Sequence, residues 1–200
     1  MFENYSAKAI QVILISQDEA RLLGHNYVGT ELILLALIGQ NKGIASKAFK
    51  SIDLNVEDVK VEVKRIIGKG TGFVAPEILF TPRAKSLLES ILKQRRYWNQ
   101  DYVNTEHILL AILEDPQNLG HQVLLNLGVN ITQLKIETLR LINQMAKKKL
   151  KKIKYMNNPL DDFNLTDALN NHQKNDFSPN DDPEDYSKSS EDDEKDFAPK

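Results

Sequence analysis

The sequence predicts an all-α protein in which two four-helix repeats, related by a pseudo-twofold axis, are followed by a disordered acidic tail. Three observations predict it. Sliding the chain along itself by 75 positions aligns 5–68 with 80–143 without a gap. Within each copy, apolar residues recur at helical spacing, and no stretch shows sustained two-residue alternation with hairpin turns. After Tyr155 the composition shifts to Asn, Asp, Ser, Lys and Pro, with too few apolar residues for a core.

The first helix of copy one carries Tyr5, Ala9, Val12, Ile13, Ser16, Ala20 and Leu23 on one face, and Gly24 supplies its C-terminal stop. Thr30 is expected to cap a short second helix that runs through Ile38. That segment has no polar face, so it belongs at the centre of the unit. A third helix is expected over about 43–51 and a fourth over 55–67. A linker over about 68–80 holds Gly68, Gly70, Gly72 and Pro76. Copy two repeats the pattern with Ala84, Leu87, Leu88, Ile91 and Leu92, then 105–113, about 117–126, and 130 onward. A unit of this size has a small core, so the copies are expected to pack together and share apolar surface. The domain reading is therefore a double repeat over 1–145, a basic helix extension over 146–156, and a disordered acidic tail over 157–200.

Formal net charge is −2, but it is unevenly placed. Residues 1–145 carry 16 basic and 15 acidic side chains, 146–156 carry six lysines and no acid, and 157–200 carry four lysines against 13 acids. The Lys147–Lys154 cluster creates a local positive potential, which raises nucleic-acid or anionic-surface binding as a second class of function. Aromatic interleaving is limited to Tyr155, so the stacking platform of single-strand binders is missing. Pairing with the acidic tail is the plainer reading.

There is no cysteine, which excludes disulfides, thiolate catalysis and Cys-ligated zinc, and suits a reducing compartment. No apolar run reaches the roughly 18 residues of a membrane helix, so no membrane partner is expected. Helical periodicity begins almost at Met1, which leaves no room for a leader peptide. His25, His107, His121 and His172 are too scattered for a metal pattern and read as loop or surface residues. The stretch Gly68-Lys69-Gly70-Thr71-Gly72 lacks the spacing of a phosphate loop and reads as a flexible linker. No cofactor and no enzymatic activity are expected.

The matches between copies are specific. Tyr27-Val28 recurs as Tyr102-Val103, Thr30-Glu31 as Thr105-Glu106, and Ile33-Leu34-Leu35-Ala36 as Ile108-Leu109-Leu110-Ala111. With the joining segments Phe73-Val74-Ala75 and Phe80-Thr81-Pro82-Arg83-Ala84-Lys85, this pattern over about 2–145 resembles the Clp N-terminal repeat domain. The branch resembled is that of ClpC-type unfoldases. Phe2-Glu3 and Gly70-Thr71-Gly72-Phe73-Val74-Ala75 are more similar to cyanobacterial and chloroplast ClpC than to Gram-positive versions. A ClpC chain would continue into ATPase modules, whereas 146–200 does not resemble them.

The resemblance implies a domain that docks substrates or adaptors, acting in trans with a separately encoded ClpC-type ATPase and, through it, the Clp peptidase. ClpS-like adaptors and protein substrates are the implied partners, and the implied location is the chloroplast stroma, with a plastid-encoded gene; a bacterial cytoplasm is the alternative. A different reading is an independent peptide-binding chaperone or regulator that competes for Clp adaptors. The resemblance also implies that Thr30, Glu31, Thr105 and Glu106 contact ligand, since in bacterial ClpC the Thr-Glu positions help bind phosphorylated arginine. A carboxylate can accept a forked guanidinium pair while a helix N-terminus offers N–H groups to an anion. Against this, Thr caps a helix and the next Glu complements its dipole with no ligand at all. Leu32 stands where the family has His or Gln, Asn99-Gln100 stands for Gly-His, and Asn104 for Gly. Tyr97 and Trp98 replace Leu22-Leu23 and are expected at the packing between copies.

Overall fold

The two most apolar segments become the two most buried helices. In the computed structural model, which describes residues 2–72, 75–94 and 101–157, every residue of Thr30–Ile38 and of Thr105–Leu113 is buried. A helix that is apolar all round must be covered on all sides, and the remaining helices do the covering. Copy one contains α1 (Ala7–Leu22), α2 (Thr30–Gly39), α3 (Gly43–Lys50) and α4 (Val56–Ile67), and copy two contains α5 (Pro82–Gln94), α6 (Thr105–Glu114), α7 (Leu119–Asn126) and α8 (Ile131–Asn157). The expected all-α double repeat is what the chain adopts.

Local chemistry sets the ends. Ser6 caps α1 through a bond from the Ala9 N–H, and Gly24 stops it with a φ of +75°. Asn55 caps α4 and Asn118 caps α7 with their side-chain oxygens.

The copies exchange contacts reciprocally, as two patches related by a twofold axis must. A strand β1 (Tyr27–Val28) pairs in parallel with β2 (Leu79–Phe80), so that Val28 lies opposite Phe80. Tyr5 bridges Val103. Shifting by the repeat length converts Tyr5 into Phe80 and Val28 into Val103, so the two pairings are one contact made twice. Likewise α2 packs on α7 and α6 packs on α3. These two-residue strands were not legible as strands, since backbone pairing that brief leaves no alternation to read. One continuous core results, running from Tyr5 to Leu134 and including Phe49, Ile78, Leu88, Ile91 and Leu124. Tyr5 fastens it further: its hydroxyl donates to the Leu88 carbonyl at 2.9 Å, and its ring meets Phe2 edge-on.

Three expectations are corrected. The glycine-rich linker is tied to the end of α1, because the Gly70 N–H donates to the Leu23 carbonyl at 2.9 Å, and a Cβ on Gly70 would lie 1.8 Å from the Gly24 oxygen. His107 and His121 are neither loop nor surface residues but are buried in α6 and α7, at 4% and 6% exposure. Thr30 is the first residue of α2 and not its cap, which is Gly29. Tyr97, Trp98, His172 and the expected disordered tail lie outside the described residues. Met1–Ile153 forms one unit and Lys154–Lys200 a second, of which only the end of α8 is described. Within the first unit, α8 is exposed from 143 onward.

Candidate functional site

The sequence pointed to the helix starts at Thr30-Glu31 and Thr105-Glu106, and both starts are buried, at 2%, 4%, 1% and 8% exposure in that order. The threonines face the other copy. Gly120, the second residue of α7, donates its N–H to Thr30 Oγ1 at 3.1 Å, while Asn118 takes the next donor, the His121 N–H, at 2.7 Å. Thr30 therefore caps a helix of copy two, satisfying a backbone donor that α7 cannot satisfy itself. Thr105 stands against the start of α3, where a Cβ on Gly43 would lie 2.3 Å from its Oγ1. The pseudo-twofold axis thus places each threonine at the third helix of the opposite repeat.

The glutamates settle differently in the two copies. The Glu31 carboxylate folds back over Gly29, where an added Cβ would lie 2.2 Å from Oε1, so only glycine admits that conformation. Oε2 of Glu31 is buried and has no hydrogen-bond partner among the described residues. Burial pushes its carboxyl above the ordinary range, opposed by its own backbone N–H and by the charge of His25. In copy two, Asn104 replaces the glycine and the Glu106 carboxylate instead accepts from Thr105 Oγ1 at 3.3 Å. Burial pushes this group up too, opposed by its own N–H, the Thr105 hydroxyl and Lys8 of α1. Each start therefore holds a desolvated carboxylate at a helix N-terminus.

Sequence reasoning overlooked His107. Its Nδ1 accepts the Asn104 N–H at 2.9 Å, and burial holds its pKa down to about 4, so the ring is a neutral acceptor near pH 7. The three-residue spacing from Asn104 to His107 is that of a capping box, with an imidazole in place of the usual Glu or Gln. Copy one has Leu32 at this position and lacks the bond.

Two concavities adjoin the repeats. One, of about 450 Å³, is lined by Gly24, His25, Asn26, Tyr27, Lys69, Gly70 and Thr71. The other, of about 590 Å³, lies between α5 and α6 and had no signal in the sequence reading. A cluster centred on the buried Glu62 also ties the copies together. Glu62 accepts from Arg65 at 2.6 and 2.7 Å and from Asn126 Nδ2 at 2.7 Å, and Arg65 beside it lowers its pKa to about 2.

Comparison with known proteins agrees with this architecture. The family profile described as "Clp repeat (R) N-terminal domain" matches residues 4–126 and, again, 96–176. The ATP-dependent Clp protease ATP-binding subunit ClpA homolog of Guillardia theta is 49% identical over 146 residues, which is 73% of this chain and 18% of that protein. Chaperone protein ClpC, chloroplastic, of Pisum sativum is 48% identical over 146 residues, 73% of this chain and 16% of that protein. The chain spans less than a fifth of the length of these relatives. Among solved structures, the N-terminal domain of ClpD from Arabidopsis thaliana superposes with a TM-score of 0.60 at 24% identity, covering 71% of this chain and 99% of that one. The Hsp104 N-terminal domain from Candida albicans does so with a TM-score of 0.60 at 21% identity, covering 70% and 91%. At such identities these likenesses speak for the fold alone.

Proposed function

Because this chain belongs to the Clp repeat (R) N-terminal domain family, we propose that it docks substrates or adaptors for a ClpC-type chaperone-protease system, in trans with a separately encoded ATPase. The observation that carries this reading is the pair of desolvated carboxylates, Glu31 and Glu106, each at the N-terminus of a buried helix. Opened outward, each is a hydrogen-bond acceptor for a guanidinium beside N–H groups that attract an anion, a combination fitted to a zwitterionic side chain such as phosphoarginine. The threonines beside them support the fold across the repeat axis, and Thr105 also donates to Glu106.

In this reading the energy of unfolding comes from the ATPase and cleavage from the Clp peptidase. A ClpS-like adaptor is the proposed intermediary for part of the cargo. Because the pea relative is chloroplastic, the proposed place of work is the plastid stroma.

The test is client degradation by a ClpC-type ATPase lacking its own N-terminal domain, together with its peptidase, with and without this chain. Enhancement that falls in E31A/E106A is expected. Inhibition would instead identify a competitor for adaptors, and the absence of both effect and binding at micromolar concentration would overturn the docking reading.

A further inference from the structure

The two repeats differ most usefully where their first and second helices meet. In copy two this junction is an open groove, with Leu87 and Ala111 as a buried floor and Pro82, Arg83, Ser86, Ser90 and Asp115 around it. Shifted by the repeat length, Ser86 becomes Gln11, Ser90 becomes Ile15 and Asp115 becomes Gln40. Copy one carries longer side chains at the two serine positions, and Gln40 closes the junction. Its side chain is 7% exposed and donates from Nε2 to the Lys8 carbonyl at 2.5 Å and to Gln11 Oε1 at 3.3 Å. One repeat thus contains, as part of its own chain, an occupant that the other repeat lacks.

The reason copy two stays open is local. Gln40 continues the helical conformation at φ −61° and ψ −28°, which aims its side chain back over α1. Asp115 precedes Pro116, whose ring disfavours the helical region for the residue before it, and Asp115 is accordingly extended at φ −106° and ψ 99°. Its carboxylate is carried to Arg83, with a separation of 2.7 Å, and Arg83 also reaches Gln117 at 3.4 Å. Since Arg83 and Asp115 neutralise one another at the mouth, the groove offers no net charge to an occupant. A neutral polar group suits it better than a carboxylate or an ammonium.

We propose that the α5–α6 groove is a second docking site, which takes a segment of a partner protein presenting an aliphatic side chain next to a carboxamide, the groups that copy one carries at the equivalent positions as Ile15 and Gln40. This rests on the docking role proposed above and specifies a class of cargo or adaptor sequence for it. The aliphatic group covers Leu87 and Ala111. The carboxamide N–H donates to the Arg83 carbonyl, the counterpart of the Lys8 carbonyl that Gln40 engages, and the serine hydroxyls supply further polar contact.

The experiment uses the full chain and a fluorescein-labelled Ser/Ala peptide with a central Ile-Gln pair, alongside Ile-Glu and Ser-Gln versions, read by fluorescence anisotropy and by amide shifts of the 15N-labelled protein. The Ile-Gln peptide is expected to bind about tenfold or more tightly than either control, the scale set by one buried hydrogen bond or one buried aliphatic side chain. Its shifts are expected over 82–90 and 111–115. S86Q/S90I, which rebuilds the copy-one side chains, should weaken binding by a similar factor. S86Q alone changes an exposed residue and keeps the test available if the double variant folds poorly. The proposal is overturned if the three peptides bind alike or not at all, if S86Q and S86Q/S90I leave affinity unchanged, or if the shifts fall elsewhere. In the degradation assay, equal enhancement by wild type and S86Q/S90I sinks the groove but not the docking role. A wild type without effect sinks the docking role, and the peptide data then judge the groove alone.

Discussion

Replacing Thr30 with valine keeps the shape of the side chain and removes only the acceptor that Gly120 uses. Thr30 is 2% exposed and Gly120 is buried, so no water stands ready to replace the hydroxyl. The variant therefore leaves the Gly120 N–H unsatisfied at the first turn of α7, at the seam between the repeats. Loss of a helix cap costs about 1–2 kcal/mol, and a buried donor without a partner costs about 1–3 kcal/mol, so a central value of about 2 kcal/mol applies. For a body of roughly 150 residues, this lowers Tm by about 4–8 °C. Thr30→Ser keeps the hydroxyl and loses one methyl, and should cost less than half as much. Thermal melts followed by circular dichroism at pH 7 decide the matter. A T30V protein that melts within about 1 °C of wild type, or a T30S protein that melts as low as T30V, would refute the cross-repeat cap.

Glu31→Gln and Glu106→Gln should raise Tm at pH 7, because burial lifts both carboxyls and the folded state is penalised for holding them ionised. An acid with a raised folded pKa gives stability that falls as pH rises, so the advantage of each variant should vanish below the ordinary carboxylate range near pH 4; a gap that widens in acid would contradict this. Glu62 has the opposite sign: Arg65 holds its pKa down to about 2, so its contribution is present at neutral pH and lost as pH falls from about 4.5 toward 2. Melts of wild type and E62Q should differ at pH 7 and converge at the acid end. Gly70→Ala would press a Cβ into the Gly24 carbonyl, costing roughly 1–3 kcal/mol of linker docking. Limited proteolysis should then cut near 68–72 faster than in wild type, and an unchanged digestion rate would count against the tied linker.

Much of this protein was legible from residue spacing. The repeat is written in the self-similarity of the chain, while the apolar second helix of each copy and Gly24 as a stop depend on interactions within a few residues, which sequence records directly. The apolarity of Ile33–Ile38 even predicted a central position, since a helix without a polar face has nowhere else to go.

What tertiary structure decided lies across the repeat axis. The Thr-Glu motif read as a local cap and dipole pair, yet Thr30 serves a helix 90 positions away. His107 read as a surface residue and is instead a buried acceptor with a depressed pKa, because its surroundings come from the fold and not from its neighbours in sequence. The α5–α6 groove was invisible for the same reason. Serine in place of glutamine and isoleucine on an apparently ordinary helix face means nothing until α6 is laid against it and Pro116 has turned Asp115 away. Local backbone preferences act over one helical turn and are written in order along the chain. Burial, and the partner that a buried polar atom finds, depend on which distant segments the shared core brings together.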